Sequence, residues 1–173
     1  MSEAQVENRP KEAARLRIRL AEPGENVDAL IPLLRKALSE SRYASLSLSE
    51  DRVKALLAAH LEEPKLIGII LAEHLSEAGA THPVGILYAM AGRLPFAEAT
   101  SCAAHLFYVR PEARRSRAAH GLLKAFEKWA KNRQAFEAAV HVTMGRTEDA
   151  RVSKLLSRYG FENTGGRSHF KNF

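Results

Sequence analysis

From residue 15 the chain alternates basic and apolar positions: Arg15, Leu16, Arg17, Ile18, Arg19, Leu20. This predicts a half-buried strand, with Leu16, Ile18 and Leu20 facing in and the arginines on a solvated face. Pro23-Gly24 breaks it. Val27, Leu30, Ile31, Leu34, Ala37 and Leu38 then recur at helical spacing, with Pro32 inside the stripe, so the helix either starts near Asp28 or kinks. Ser39 to Leu48 reads as loop. Ser49 caps a second helix carrying Val53, Leu56, Leu57, His60 and Leu61 on one face. Leu66 to Ala72 is almost continuously apolar and suits a central strand. After the turn at Ser76-Glu77-Ala78-Gly79, Val84 to Met90 returns antiparallel to it. Leu94-Pro95-Phe96 interrupts, and Cys102 to Val109 forms a fourth strand.

Pro111 stops that strand because it has no N–H for the ladder. Ala119, Leu122, Leu123, Phe126, Trp129 and Ala130 then predict a helix from Ser116, its N-cap, to about Asn132. Ala138 to Thr143 is a fifth strand, broken by Gly145. Thr147 caps a helix running to Tyr159, with Val152, Leu155 and Leu156 inward and Gly160 closing it. Phe161 begins a further strand. Gly165-Gly166 turns, and His169, Phe170 and Phe173 fit a terminal one. The pattern predicts one α+β domain over residues 15–173. It has a mixed, mostly antiparallel sheet of about seven strands and about four helices, and residues 1–14 form a flexible tail.

At 173 residues the chain is long enough to bury a core without covalent staples. Its single cysteine, Cys102, rules out an internal disulfide and reads as a packed thiol, in keeping with a cytoplasmic setting. No run approaches the length of a membrane span, and residues 1–14 are polar, without the apolar core of a secretory signal. The net charge of +6 implies an anionic partner. Lysines and arginines are spread along the chain without an aromatic-basic ladder, so nucleic acid is not needed to explain the charge. His60, His74, His82, His141 and His169 show no paired metal-ligand spacing and no cysteine partner, so no metal is expected.

The densest local signal is Leu106-Phe107-Tyr108-Val109, then Arg110-Pro111-Glu112-Ala113, then Arg114-Arg115-Ser116-Arg117-Ala118-Ala119-His120. A buried strand feeding a basic loop and a helix N-terminus gathers unpaired amides and a positive dipole end, which is an anion site suited to phosphate.

These residues resemble the GNAT superfamily of acyl-CoA-dependent N-acetyltransferases. Its hallmark is a strand ending in Val-x-Pro, then Arg or Gln, two residues, Gly, one residue, and Gly or Ala at a helix start. Arg114 takes the Arg/Gln position and Ala119 the Gly/Ala position. Arg117 stands where the first Gly is usual, and the Arg-Arg-Ser-Arg run looks like a phage and bacterial branch. The resemblance implies an N-acyltransferase moving an acetyl group from acetyl-CoA to a primary amine of a small molecule or protein. It implies a fourth strand bulged away from the fifth to open a slot for the cofactor, and it is compatible with a homodimer. Phe107, Tyr108 and Val109 would run beside the pantetheine arm. Arg114, Arg115, Ser116, Arg117, Ala118, Ala119 and His120 would surround the pyrophosphate, and Ser153 and Lys154 would touch the cofactor from the last helix. Arg42 and Tyr43, between the first two helices, are the acceptor-side candidates.

Where family members often place a Glu as base, this chain has His105, whose ordinary pKa of about 6.5 suits proton uptake near neutrality. Glu98 is the second candidate. The phenol that the family commonly places four residues before its Gly-Phe is missing. Leu156 holds that position before Gly160-Phe161, and Tyr159 is the nearest substitute. Asp149 replaces a family Asn. These departures leave open a second reading, a module of the same fold that binds coenzyme A or another anion with little transfer. A third reading is a basic adaptor for nucleic acid acting through the N-terminal arm.

Overall fold

The computed structural model describes residues 15–77, 79–143, 145, 149–165 and 171. Five strands form one sheet in chain order: β1 (Arg15–Leu20), β2 (Ile67–Leu75), β3 (Thr81–Arg93), β4 (Thr100–Val109) and β5 (Glu137–Val140). Four helices accompany them: α1 (Ile31–Ser39), α2 (Glu50–Leu61), α3 (Ala118–Lys131) and α4 (Asp149–Arg158). Neighbouring strands are antiparallel except β4 and β5, whose parallel pairing requires the crossover that α3 supplies.

The sequence pattern implies about seven strands, whereas the described residues form five. Phe161 starts no strand because its N–H is donated back to the Leu156 carbonyl at 3.1 Å. Gly160, at φ +78°, donates to Ser157 at 3.1 Å, so the two bonds complete a Schellman closure of α4. The expected terminal strand with His169, Phe170 and Phe173 lies outside the described residues, as do the tail 1–14 and the Thr147 cap.

Pro32 neither kinks nor breaks its helix. A 3₁₀ turn, Val27–Leu30, precedes α1 and leaves Pro32 within the first turn, where no intrahelical acceptor needs its missing N–H. Leu33, outside the expected stripe, is fully buried, while Leu56 of α2 is exposed.

The sheet separates two cores. On one face α3 and α4 cover Ile70, Ala72, Leu87, Ala89, Cys102 and Ala104. On the other, α1 and α2 cover Ile69, Leu71, Ile86 and Tyr108. Helix α3 lies close to the sheet because Gly68 of β2 has no side chain: a Cβ there would stand 2.6 Å from the Trp129 ring. Two of the three arginines of β1 are not simply solvated. Arg17 and Arg19 both donate to Glu73 of β2, which is 2 % exposed, and Arg19 also pairs with Glu25. Burial pushes the Glu73 carboxyl up, but hydrogen bonds from Arg19 and Arg17 outweigh it and hold it below the usual carboxylate range.

Candidate active site

The register of β4 sets the geometry of the site. Ala89 faces Ala104 and Tyr88 faces Leu106, so His105 is an extra residue with no opposite number on β3. This bulge reverses the alternation of the strand. Before it, Cys102 and Ala104 point to the α3 face; after it, Phe107 and Val109 do. His105 and Leu106 therefore share the α1–α2 side, and Tyr108 follows them there.

At the same point β4 and β5 part. Their ladder runs over four pairs, from Ser101 opposite Glu137 to Ala104 opposite Val140, and ends there. His105 and His141 are the next residues on the two strands, their rings 6.2 Å apart, one on each side of the split. Both belong to a row of rings that crosses the sheet. Tyr88 of β3 stands 6.4 Å from His105, and its hydroxyl meets Nδ1 of His60, from α2, at 2.9 Å. The edge of His105 reaches solvent, yet its pKa is pushed below that of an ordinary imidazole. Lost hydration over the sheet is the larger cause, and the like charge of His141 adds to it. Burial raises the pKa of Tyr88.

Beyond the split, β4 leads into the basic loop. Arg110 continues the pairing to β3 by donating to Val84 at 2.8 Å, and a 3₁₀ turn, Pro111–Ala113, follows. Arg114 turns inward. Its Nε donates to the Val109 carbonyl at 3.0 Å, and its Nη2 binds Glu40 at the C-terminal end of α1. Glu40 also accepts from the Tyr108 hydroxyl at 3.0 Å and faces Lys36 at 3.5 Å. Burial pushes the Glu40 carboxyl up, but the bonds from Arg114 and Tyr108 prevail and hold it below the usual range. Burial and the Glu40 bond together push the Tyr108 phenol far up.

Ser116, expected as the N-cap of α3, sits one residue before it. Arg117 takes the N-cap position without a side-chain bond, while the Ser116 hydroxyl accepts from the Ala118 N–H at 3.1 Å. Gly121 N–H reaches the Arg117 carbonyl at 2.8 Å. The N–H groups of Ala119 and His120 are then the remaining donors of the first turn, with no capping bond among the described residues. Arg115, Ser116, Arg117 and His120 are exposed around them, while Ala118 is buried. This is a fit for a diphosphate: main-chain donors at a positive dipole end, rimmed by two exposed guanidiniums.

Helix α4 closes on this corner. Tyr159 sets its ring edge-on to His120 at 5.0 Å, and its hydroxyl is buried without a partner among the described residues. Leu156 faces the core at 7 % exposure. Ser153 and Lys154 are exposed on α4, with Ser153 donating to the Asp149 carbonyl at 3.0 Å. In the loop between α1 and α2, the Arg42 guanidinium binds the Tyr43 hydroxyl and lies over its ring. The Cβ of Arg42 is 3.5 Å from where a Gly145 side chain would begin, so this loop meets the one that leaves β5.

Glu98 is not brought to the split. It sits in the β3–β4 turn, 90 % exposed and paired with Arg93 at 2.6 Å. Five residues of extended strand, ~16 Å, separate the start of β4 from His105. A groove of about 560 Å³ lined by Leu66, Gly92 and Thr100 also opens at that far end. Sequence reasoning missed His141, Tyr88, His60 and Glu40 as parts of this region. Only Glu40 carried a local signal, a carboxylate at a helix C-terminus, where the dipole disfavours it.

A model of the acetyltransferase (GNAT) family matches residues 27–161. The chain belongs to the GNAT acetyltransferase family. Among solved structures it is similar to a probable acetyltransferase, at 22% identity and a TM-score of 0.68, over 91% of this chain and 95% of that one. It is also similar to AAC(6')-Iy in complex with the bisubstrate analogue CoA-S-monomethyl-acetylneamine. There the identity is 15% and the TM-score 0.65, over 92% of this chain and 99% of that one. A ribosomal-protein-alanine N-acetyltransferase from Brucella melitensis biovar Abortus 2308 aligns at 16% identity and a TM-score of 0.67, over 91% and 99% of the two chains. At these identities the likeness is one of fold. No curated protein sequence matches the chain.

Proposed function

We propose that this protein is an N-acyltransferase that moves an acetyl group from acetyl-CoA to a primary amine of a small molecule or protein. The observation that carries this reading is the coincidence of three features at one point of β4: the bulge at His105, the end of the β5 ladder at Ala104, and the donor-rich start of α3 beyond it. The bound co-substrate supplies an activated acyl thioester. The amides of Ala119 and His120, with Arg115 and Arg117, hold its diphosphate, and Ser116 and Ala118 shape the turn. Phe107 to Val109 and the exposed Ser153 and Lys154 flank its arm. His105 takes a proton from the acceptor amine as base; because its pKa is depressed, it is neutral and ready at pH 7. Arg42 and Tyr43 bound the acceptor side. The reading includes a cytoplasmic setting and is compatible with a homodimer.

The buried Leu156 in the place of the family's phenol, with the Tyr159 hydroxyl buried against α3, favours a second reading, a module that binds coenzyme A with little transfer. Titration calorimetry with acetyl-CoA tests the shared claim. Binding is expected, weakening about tenfold or more in the Arg115→Ala/Arg117→Ala double variant as two charge-assisted contacts are lost. Heat indistinguishable from dilution would sink both readings. Thiol release across a panel of amines then separates them, since the weak module binds and releases nothing.

A further inference from the structure

Helices α1 and α2 cover only the β2 half of their face of the sheet. Rows of side chains cross that face from β2 to β5, in an order fixed by the strand pairing. One row runs from Ile69 through Tyr88 to His105 and His141. The next, one pleat nearer the start of β4, runs from Ile67 through Met90 and Ala103 to Ala139. Ala138 and Val140 pack on the α3 side, so Ala139 faces away from it. Exposure rises along both rows. Ile67 and Ile69 are buried beneath the helices, Tyr88 is half-buried and Met90 is 40 % exposed. At the far end Ala103 and Ala139 are half-buried, while His105 and His141 are exposed. The bare part is a shelf with rings along one side and a thioether and two methyl groups as its floor. Beyond the floor lies a row of Gly92, Ser101 and Glu137, in which Ser101 donates to Glu137 at 2.9 Å. Two strand spacings by one pleat make the floor about 10 Å by 7 Å, room for one aromatic ring or a short alkyl chain.

We infer that this shelf seats the apolar body of the acceptor, so that the amine acylated is a monoamine carrying an aryl or alkyl group; the assignment rests on the amine-acylation reading. The shelf is continuous with the base, because Ala103 lies two residues before His105 on the same face. An amine held at His105 therefore lays its carbon body over Ala103, Met90 and Ala139. That floor has no hydrogen-bonding side chain. A polar body would lose hydration there with nothing in exchange, whereas an apolar one gains by leaving water. The unbranched Met90 side chain adapts to a ring or a chain. Charge points the same way. Strands β3, β4 and β5 carry a single carboxylate between them, Glu137, and it already accepts from Ser101 at the rim. A second ammonium on the acceptor would lie over methyl groups without a counter-charge.

The test is thiol release from acetyl-CoA with a matched pair of amines, hexylamine and 1,6-diaminohexane, which differ only in the terminal ammonium. The wild type is expected to use hexylamine with a kcat/KM about tenfold or more above that of the diamine, as for a chain partly removed from water. Met90→Glu supplies a counter-charge on the floor at an exposed position, and the preference should fall about tenfold or reverse. A second measurement needs neither turnover nor a variant. With coenzyme A present, 2-phenylethylamine should shift the Met90 methyl resonance of the wild type in a saturable way through its ring current, and 1,6-diaminohexane should leave it in place. A wild type that uses the diamine as well as hexylamine, a preference that Met90→Glu does not alter, or a Met90 methyl that 2-phenylethylamine does not move overturns the shelf while acyl transfer stands. If no amine releases thiol, the acylation reading fails and the shelf falls with it.

Discussion

Glu40 ties α1 to the loop that starts α3, so replacing it tests whether the candidate phosphate corner is held from the far side of the sheet. Glu40→Ala removes the acceptor 3.0 Å from the Tyr108 hydroxyl, on a residue 1 % exposed. Losing a buried hydroxyl's acceptor costs about 1–3 kcal/mol. Arg114, 29 % exposed, can rehydrate, so its share is only about 0.5–1 kcal/mol, and Lys36, half exposed, adds almost nothing. The expected loss is therefore about 1.5–4 kcal/mol, and at about 2–4 °C per kcal/mol for a chain of this length the Tm falls by roughly 3–16 °C. Glu40→Gln keeps an acceptor for Tyr108 and loses about half as much. The sign with pH follows from the depressed pKa of Glu40 in the folded protein. Its contribution is present above the unfolded value of about 4.3 and disappears as pH falls through the lower folded value. Urea unfolding at pH 7 and pH 3 should show the gap between wild type and Glu40→Ala shrinking in acid. Acetyl-CoA affinity should weaken severalfold in both variants because Arg114 no longer anchors the loop. A gap below about 0.5 kcal/mol at pH 7, or one unchanged at pH 3, refutes the anchoring role.

Three further outcomes follow from the structure. His105→Ala should lower turnover of a cognate amine tenfold or more, and the wild-type kcat/KM profile should fall only below the ordinary imidazole value of about 6.5. His141→Ala removes the like charge that depresses His105, so its acid limb should move upward in pH; a limb that stays put would mean that His141 does not act on the base. Gly68→Ala drives a methyl to 2.6 Å from an indole that Arg133 backs at 3.8 Å, so calorimetric unfolding should show a loss of about 1–3 kcal/mol; unaltered stability would show that Trp129 has room to move.

Much of the architecture was legible because it rests on local periodicity. The alternation in β1, the apolar run of β2 and the stripe of α3 each specify an element that the described structure contains, and the Val-x-Pro turn marks where the strand yields to the basic loop. The strand expected at Phe161 was misread because a helix closure and a strand start share the Gly-Phe signature. The deciding bond runs from Phe161 back to Leu156.

The candidate site was legible in part. Arg114 to His120 are consecutive, and a helix N-terminus is a local object, so the strand-to-helix turn proposed as the anion corner could be placed from the chain. The bulge could not. Leu106 and Tyr108 are as apolar as Phe107 and Val109, so the pattern of β4 has no visible change of phase, and only its register with β3 shows His105 to be the extra residue. Likewise His60, Tyr88, His105 and His141 come from four separate elements, and Glu40 lies 74 positions from Arg114. Composition and periodicity determined which segments become strand or helix and where negative charge is welcome. Tertiary structure alone decided which strands part, which imidazoles face each other across the parting, and which carboxylate holds the loop, because those depend on pairing across the sheet.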